Sequence, residues 1–299
     1  MLRYENVLVL GSTGFIGNHI TTITKNIESF NVTTYDRQDS CSKNSKDIYN
    51  SSKFYFLLKK ANILVNCTGI GLSRLRRSNL YDANYQLNRN ILSAYRKSDT
   101  SAMIINFSSL KAYNPNCHKD VYAHDKYYTE KLWLNSEFSS RVCTLRLPMV
   151  IGKNDLNIQP LIELAKKISL PEIYSNSLPK LNIISVDSLS YTVKNILLTN
   201  KNFYGKLVYI INKNTYNWNE IIRCISNKKY IVPLILMRFL WYICSFKYCL
   251  NRKRSSMPVE RFYDLFKRDW IIEKNQKIEY FYLEEDALKL IKNLYEQSF

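Results

Sequence analysis

The 299-residue chain, with 46% hydrophobic and 23% charged residues, is long enough to bury a large core and too apolar for a disordered segment. Its 43 Lys and Arg against 25 Asp and Glu give a formal charge of +18, which favours anionic ligands: nucleotides, nucleic acid or an acidic membrane surface. The seven cysteines, at 41, 67, 117, 143, 224, 244 and 249, form no CxxC pair and have no histidine at ligand spacing, which argues against zinc and against a disulfide framework.

The chain opens on VLVLGSTGFIG, residues 7–17. Val7 to Leu10 reads as a buried strand, and Gly11, Gly14 and Gly17 follow at three-residue steps, three of only seven glycines in the chain. Glycine permits a tight turn and a close backbone approach to a pyrophosphate, while the helix after it aims its free N–H groups and positive dipole end at the anion. Thr13, Phe15 and Ile16 lie in the same turn and count with the glycines as cofactor-binding. From Phe15 to about Ser29, Ile16, Ile20, Ile23 and Ile27 mark one helix face.

A second strand, Val32 to Tyr35, ends at Asp36, 19 residues past Gly17. A dinucleotide fold places there the carboxylate that accepts hydrogen bonds from the adenosine ribose. Such a charge repels a 2′-phosphate and favours NAD, although Arg37 beside it could hold that phosphate and keeps NADP open. The polar connection from Gln38 to Ser52 carries Asp47-Ile48 on the adenine side. Next come a helix around Phe54 to Lys60, a strand Ile63 to Asn66, and Cys67-Thr68-Gly69, a small-residue turn that lets backbone pass close to the cofactor. A long helix from Asn79 to Lys97, a strand Met103 to Phe107, a helix from Tyr122 to about Glu137 and a strand Val142 to Leu147, stopped by Pro148, complete the first half. This alternation predicts an α/β fold with a doubly wound parallel sheet, whose ligands bind beyond the carboxyl ends of the strands.

Ser108 and Ser109 come directly after the strand Met103 to Phe107, at that carboxyl end. Tyr122 comes 13 residues after Ser109, and Lys126 lies one helical turn further on the same face. A tyrosine with its ordinary pKa of about 10 shuttles protons near neutrality only if its anion is stabilised, which an adjacent ammonium does. Ser109 would hold the reacting oxygen. Tyr127 and Lys131 repeat the same spacing one frame later, and spacing alone does not separate the two pairs.

From Gly11 to about Asn219 the chain resembles the extended short-chain dehydrogenase/reductases, the NAD-dependent epimerase/dehydratase group that acts on nucleotide sugars. The likeness rests on GSTGFIG, on Ser109 with Tyr113 four residues later, and on YAHDKYYTEKL, where Tyr122, Lys126 and Glu130 come at four-residue steps and select the first pair. Asn84 in NYQLNRNIL, LRLPMVIG at 145–152 and Val186-Asp187 agree with it. The resemblance implies a Rossmann-type domain over 1–150 and a smaller substrate lobe over 151–299, interleaved with the first. Bound NAD, or NADP, would be contacted by Asn84 and Pro148 besides the residues above. It implies Tyr122 as acid/base, Lys126 as its partner and ribose ligand, Ser108 and Ser109 on the sugar oxygen, and a homodimer through the helices at 79–97 and 122–137. Where the family's 4,6-dehydratases look to need an Asp-Glu pair, this chain has Leu110-Lys111, so dehydration is disfavoured. Epimerisation at a sugar carbinol, taken as C4, in the synthesis of cell-surface glycan precursors is the reading. Reduction of a nucleotide keto-sugar with NADPH is the alternative, and a non-catalytic dinucleotide sensor or scaffold the alternative from another class.

Beyond Pro148, Lys153 to Ser177 lacks a sheet rhythm, Ile183 to Val186 and Leu207 to Ile211 read as strands, and Trp218 to Ile225 as a helix. A sugar-nucleotide cleft between the lobes would draw on cations, with Arg146 and Arg223 as candidates. Ile231 to Phe246 reads as a buried helix of the small lobe; it holds Arg238 and falls short of the ~20 residues that span a bilayer. The rival is an interfacial segment on anionic membrane, because Asn251-Arg252-Lys253-Arg254 comes next. No secretory leader is visible, which places the protein in the cytoplasm. Neither a metal site nor a nucleic-acid motif is expected.

Overall fold

The computed structural model describes residues 4–36, 39, 48–69, 83–113, 121–155, 158–199, 203–226, 230–237, 239 and 279–297. The first elements are β1 (Glu5–Leu10), α1 (Phe15–Lys25), β2 (Phe30–Tyr35), α2 (Ser52–Lys60), β3 (Ile63–Asn66), α3 (Ala83–Lys97) and β4 (Met103–Ser109). A 3₁₀ turn (Leu110–Tyr113), α4 (Val121–Leu134), β5 (Val142–Leu147) and β6 (Met149–Ile151) come next. After them come α5 (Gln159–Lys167), β7 (Glu172–Tyr174), β8 (Leu181–Ser185), α6 (Val186–Thr199), β9 (Leu207–Asn212) and β10 (Thr215–Tyr216). The last are α7 (Trp218–Ile225), β11 (Ile231–Pro233), β12 (Glu279–Leu283) and α8 (Ala287–Glu296).

The main sheet has the order β12-β9-β5-β4-β3-β1-β2, and the six strands from β9 to β2 run parallel. Its central strands are apolar because helices cover both faces: every residue of β3 and β5 is buried. Leu8, Leu10, Leu64, Ile104 and Val142 share one core with Phe54 and Leu58 of α2, Ile91 and Tyr95 of α3, and Trp133 of α4. The topology decides where a ligand goes. β1 pairs with β2 on one side and β3 on the other, so the connections leave in opposite directions and a crevice opens at the carboxyl ends of β1 and β3.

The chain divides into two compact units. The first takes everything through Leu147, then Val186–Ile210 and the strand residues up to Phe281; the second takes Pro148–Ser185 and the remainder. The core of the second unit joins Ile162 of α5, Leu181 and Ile183 of β8, Trp218 and Ile222 of α7 and Ile291 of α8. α7, the helix expected over Trp218 to Ile225, starts with a capping box, Asn217 accepting from the Glu220 N–H and Glu220 from the Asn217 N–H.

Two expectations change. Val186 is not the end of a strand but the first residue of α6, where Asp187 in the first turn suits the positive helix end. The segment from Ile231 does not start as a buried helix: Ile231–Pro233 is a strand paired with β7, and residues 234–237 are helical. Leu234 and Met237 pack on the core while Ile231, Ile235, Leu236 and Phe239 are exposed, so this stretch is amphipathic. Residues 238 and 240–254 lie outside the described residues. Among the described residues no helix is long and apolar enough to cross a membrane.

Candidate active site

The glycine turn closes β1 onto α1. Gly11 has φ +74°, a conformation that disfavours a side chain, and the Gly14 N–H donates to its carbonyl at 3.0 Å. A Cβ on Gly17 would press directly on the Gly11 oxygen and stand 2.8 Å from its carbonyl carbon, so the first helical turn reaches this position only as glycine. Gly14 is different: an added Cβ would meet only the Gly11 oxygen, at 3.3 Å, and the turn is otherwise open at that point. No side chain caps α1 and no acid lies in its first turn, which leaves its amides and dipole for an anion. Asp36, directly after β2, accepts a hydrogen bond from the Ser12 hydroxyl and is thereby held against the turn. The residues present therefore fit a dinucleotide: pyrophosphate on the turn, ribose at Asp36. Ser12 is a residue that sequence reasoning missed, although it lies inside the motif.

Beside β1, the Cys67 N–H donates to the Leu10 carbonyl, and Thr68 is fixed by its N–H and hydroxyl on Asn66 Oδ1, at 3.2 and 2.5 Å. Asn66 in turn donates to Asn88 at 2.7 Å and Asn106 at 2.9 Å, and Trp133 Nε1 donates to Asn88 at 2.9 Å. A polar network under the turn thus ties β3, α3, β4 and α4 together. Gly69 sits close against two polar side chains: a Cβ there would meet Asn84 Oδ1 at 3.0 Å and Lys126 Nζ at 3.4 Å. Asn84 lies at the start of α3, and Asp125 of α4 binds it there, accepting from the Asn84 N–H, the Asn84 side-chain amide and the Tyr85 N–H at 3.0, 2.8 and 2.9 Å. Burial pushes the Asp125 carboxyl up, and these hydrogen bonds oppose the shift. Spacing gave no signal for Asp125, whose partners lie about 40 residues earlier.

Ser108 and Ser109 are the last residues of β4 rather than loop residues, both buried. Ser108 Oγ is buried without a hydrogen-bond partner, and the Lys111 N–H donates to Ser109 Oγ at 3.3 Å. Tyr122 is half-buried on the first turn of α4. Lys126 is 7% exposed, donates to the Phe107 carbonyl at 3.2 Å and stands 5.9 Å from the centre of the Tyr122 ring. Burial lowers the Lys126 pKa, while Asp125 and Glu130 push the other way. The decoy pair differs in this respect: Lys131 also lies over Tyr127, at 5.5 Å, but is exposed on the outer face of the helix. Tyr122, Lys126 and Ser109 therefore gather at the end of β4, whereas Tyr127 and Lys131 do not.

Other expected residues fall elsewhere. Ile48 is a core residue, 4% exposed, whose carbonyl accepts from the Tyr35 hydroxyl at 2.8 Å. Arg37 and Asp47 lie outside the described residues. Pro148 opens the second unit, between β5 and β6. Arg146 is a correction. It is buried, donates from Nε and Nη2 to both Glu130 carboxylate oxygens at 2.8 and 2.6 Å, and also donates to Tyr209 and to the Ala112 carbonyl. Burial works against its charge, but Glu130 and Tyr209 outweigh this and hold the pKa raised. Its donors serve the core, not a diphosphate. Arg223 likewise pairs with Glu172 at 2.6 Å. Cys67, Cys143 and Cys224 are free thiols, and burial pushes Cys143 up to about 12, so it stays protonated.

The profile described as NAD dependent epimerase/dehydratase family matches residues 7–171. No curated protein matches the sequence. Similar solved structures include UDP-N-acetylglucosamine 4-epimerase from Bacillus cereus (14% identity, 98% of this chain and 96% of that one, TM-score 0.60). Others are dTDP-glucose 4,6-dehydratase from Bacillus anthracis str. Ames (14%, 98% and 97%, 0.62) and a dTDP-4-dehydrorhamnose reductase from Clostridium acetobutylicum (18%, 76% and 84%, 0.57). At these identities the likeness speaks for the fold alone.

Proposed function

Because the chain belongs to the NAD dependent epimerase/dehydratase family, we propose that it is an NAD-dependent oxidoreductase of the epimerase type, acting at a carbinol or ketone of a nucleotide sugar. The observation that carries this reading is the cluster at the end of β4: buried Lys126 behind the Tyr122 ring, with Ser109 tied to the adjoining turn. In it, Ser109 orients the sugar hydroxyl, Tyr122 takes its proton as the carbonyl forms and returns it on reversal, and Lys126 stabilises the phenolate meanwhile. A bound nicotinamide dinucleotide supplies the hydride chemistry. Asp36, fixed by Ser12, supports NAD over NADP. Leu110 and Lys111, both buried, occupy the place where a dehydratase would hold acids, which speaks against elimination of water. UDP-N-acetylglucosamine and dTDP-sugars, named for the similar structures, are the substrates to try first.

The test is to purify the protein, identify released nucleotide by mass spectrometry, and incubate it with UDP- and dTDP-sugars. An epimerase carries its nicotinamide through purification and turns over without added cofactor, and Tyr122→Phe abolishes that turnover. Stoichiometric NADPH consumption would replace epimerisation by reduction; turnover unchanged in Tyr122→Phe would remove the catalytic assignment.

A further inference from the structure

The turn after β4 carries a lysine outside the Ser109, Tyr122 and Lys126 relay. Lys111 is only 3% exposed, an unusual position for an ammonium, and it touches the relay twice. Its N–H holds Ser109 Oγ at 3.3 Å, and its Nζ stands 5.7 Å from the centre of the Tyr122 ring, level with Lys126 at 5.9 Å. Each ammonium, near the same ring, favours a negative charge on the tyrosine.

We propose that Lys111 is a second cation of the proton relay, a positioning residue that stabilises the Tyr122 phenolate together with Lys126 and fixes the Ser109 hydroxyl through its backbone. The inference rests on the reading of Tyr122 as the acid/base. No proton passes to or from Lys111; the sugar hydroxyl proton goes to Tyr122, and Lys111 biases that group toward its anion. An acid at this position would oppose the phenolate, so lysine in place of an acid reverses the local electrostatics and turns the site toward hydroxyl deprotonation.

Among the described residues the other charged or titratable groups on and around α4 are engaged elsewhere or lie toward solvent. On α4 itself, Asp125 is bound to the start of α3 and Glu130 to Arg146, while His124 is half-buried and Lys131 exposed. Of the elements packed on α4, β4 brings no charged side chain and β5 brings only Arg146, which Glu130 neutralises. α3 brings Arg89, Arg96 and Lys97, all exposed, with Arg96 paired to Glu137.

The test is Lys111→Met, which keeps the stem length and the N–H to Ser109 but removes the charge. Each protein is titrated by ultraviolet difference absorbance against its own Tyr122→Phe counterpart, which isolates one phenol among 23 tyrosines. An opposite charge within ~4–6 Å moves a pKa by about 1–3 units. The Tyr122 midpoint is expected about one unit higher in Lys111→Met, and Lys111→Arg restores most of it. The acid limb of the kcat/KM profile shifts by the same amount, and the rate at neutral pH falls about tenfold, with the Kd for NAD unchanged. If Lys111→Met is poorly folded by circular dichroism, Lys111→Gln takes its place in the same comparison. Superimposable Tyr122 titrations in the wild type and the charge-free variant, or an Arg variant that behaves like Met, would overturn the proposal. The titration needs no substrate, so a wild type without turnover on any nucleotide sugar would sink the functional reading separately.

Discussion

Replacing Arg146 separates a core role from a ligand role. Its guanidinium makes two hydrogen bonds to Glu130, and the two side chains are 8% and 2% exposed. Arg146→Met keeps the apolar volume but leaves the Glu130 carboxylate buried among groups chosen to face a cation. Removing one partner of a buried pair costs about 3–5 kcal/mol, a large part of the ~5–15 kcal/mol that holds a domain folded. For a chain of this size, ~2–4 °C per kcal/mol puts the fall in Tm on the order of 10 °C. Differential scanning calorimetry at pH 7.5 reads the loss. Replacing the pair together, Glu130→Leu with Arg146→Met, recovers most of the loss because no charge is left unpaired. An unchanged Tm for Arg146→Met accompanied by a raised KM for the nucleotide sugar would refute this and return Arg146 to the ligand.

Lys126 shows the opposite sign. Burial lowers its pKa, so the folded state holds its proton less readily than the unfolded chain; the cost is full below the folded pKa and vanishes as pH rises past the unfolded value of about 10.5. Lys126→Met should therefore melt higher than wild type at pH 7 while losing turnover, the difference narrowing toward pH 10; equal or lower Tm at pH 7 contradicts this. Asp36→Asn removes the charge next to Ser12, and NADP should gain on NAD by about tenfold in relative affinity, measured by fluorescence titration. An unaltered ratio would dissociate Asp36 from the ribose. The exposed Ile231, Ile235, Leu236 and Phe239, with the basic residues 252–254 later in the sequence, lead to co-sedimentation with phosphatidylserine vesicles that salt weakens; protein wholly in the supernatant at low salt dismisses membrane contact.

Much of the first unit was legible because its signals are local. The strand Val7 to Leu10, the glycines at three-residue steps and Asp36 all lie within 30 residues, and each answers to backbone sterics or strand-and-helix periodicity. The pair Tyr122 and Lys126 was legible as two residues one turn apart and was chosen over Tyr127 and Lys131 by the family resemblance; what the structure adds is that Lys126 is buried and Lys131 exposed, which spacing cannot express because both pairs share the period.

What tertiary structure alone decided are contacts between residues remote in the chain. Asp125 meets Asn84 across 41 positions and Arg146 meets Tyr209 across 63, set by how α4 packs on α3 and by β5 lying beside β9. The same packing turned Arg146 from a candidate ligand into half of a buried pair and placed Lys111 against the ring of Tyr122. A lysine or arginine reads alike in sequence whether solvated or buried. Its role is settled by which strand ends beside it, and that is a property of the sheet order rather than of any local pattern.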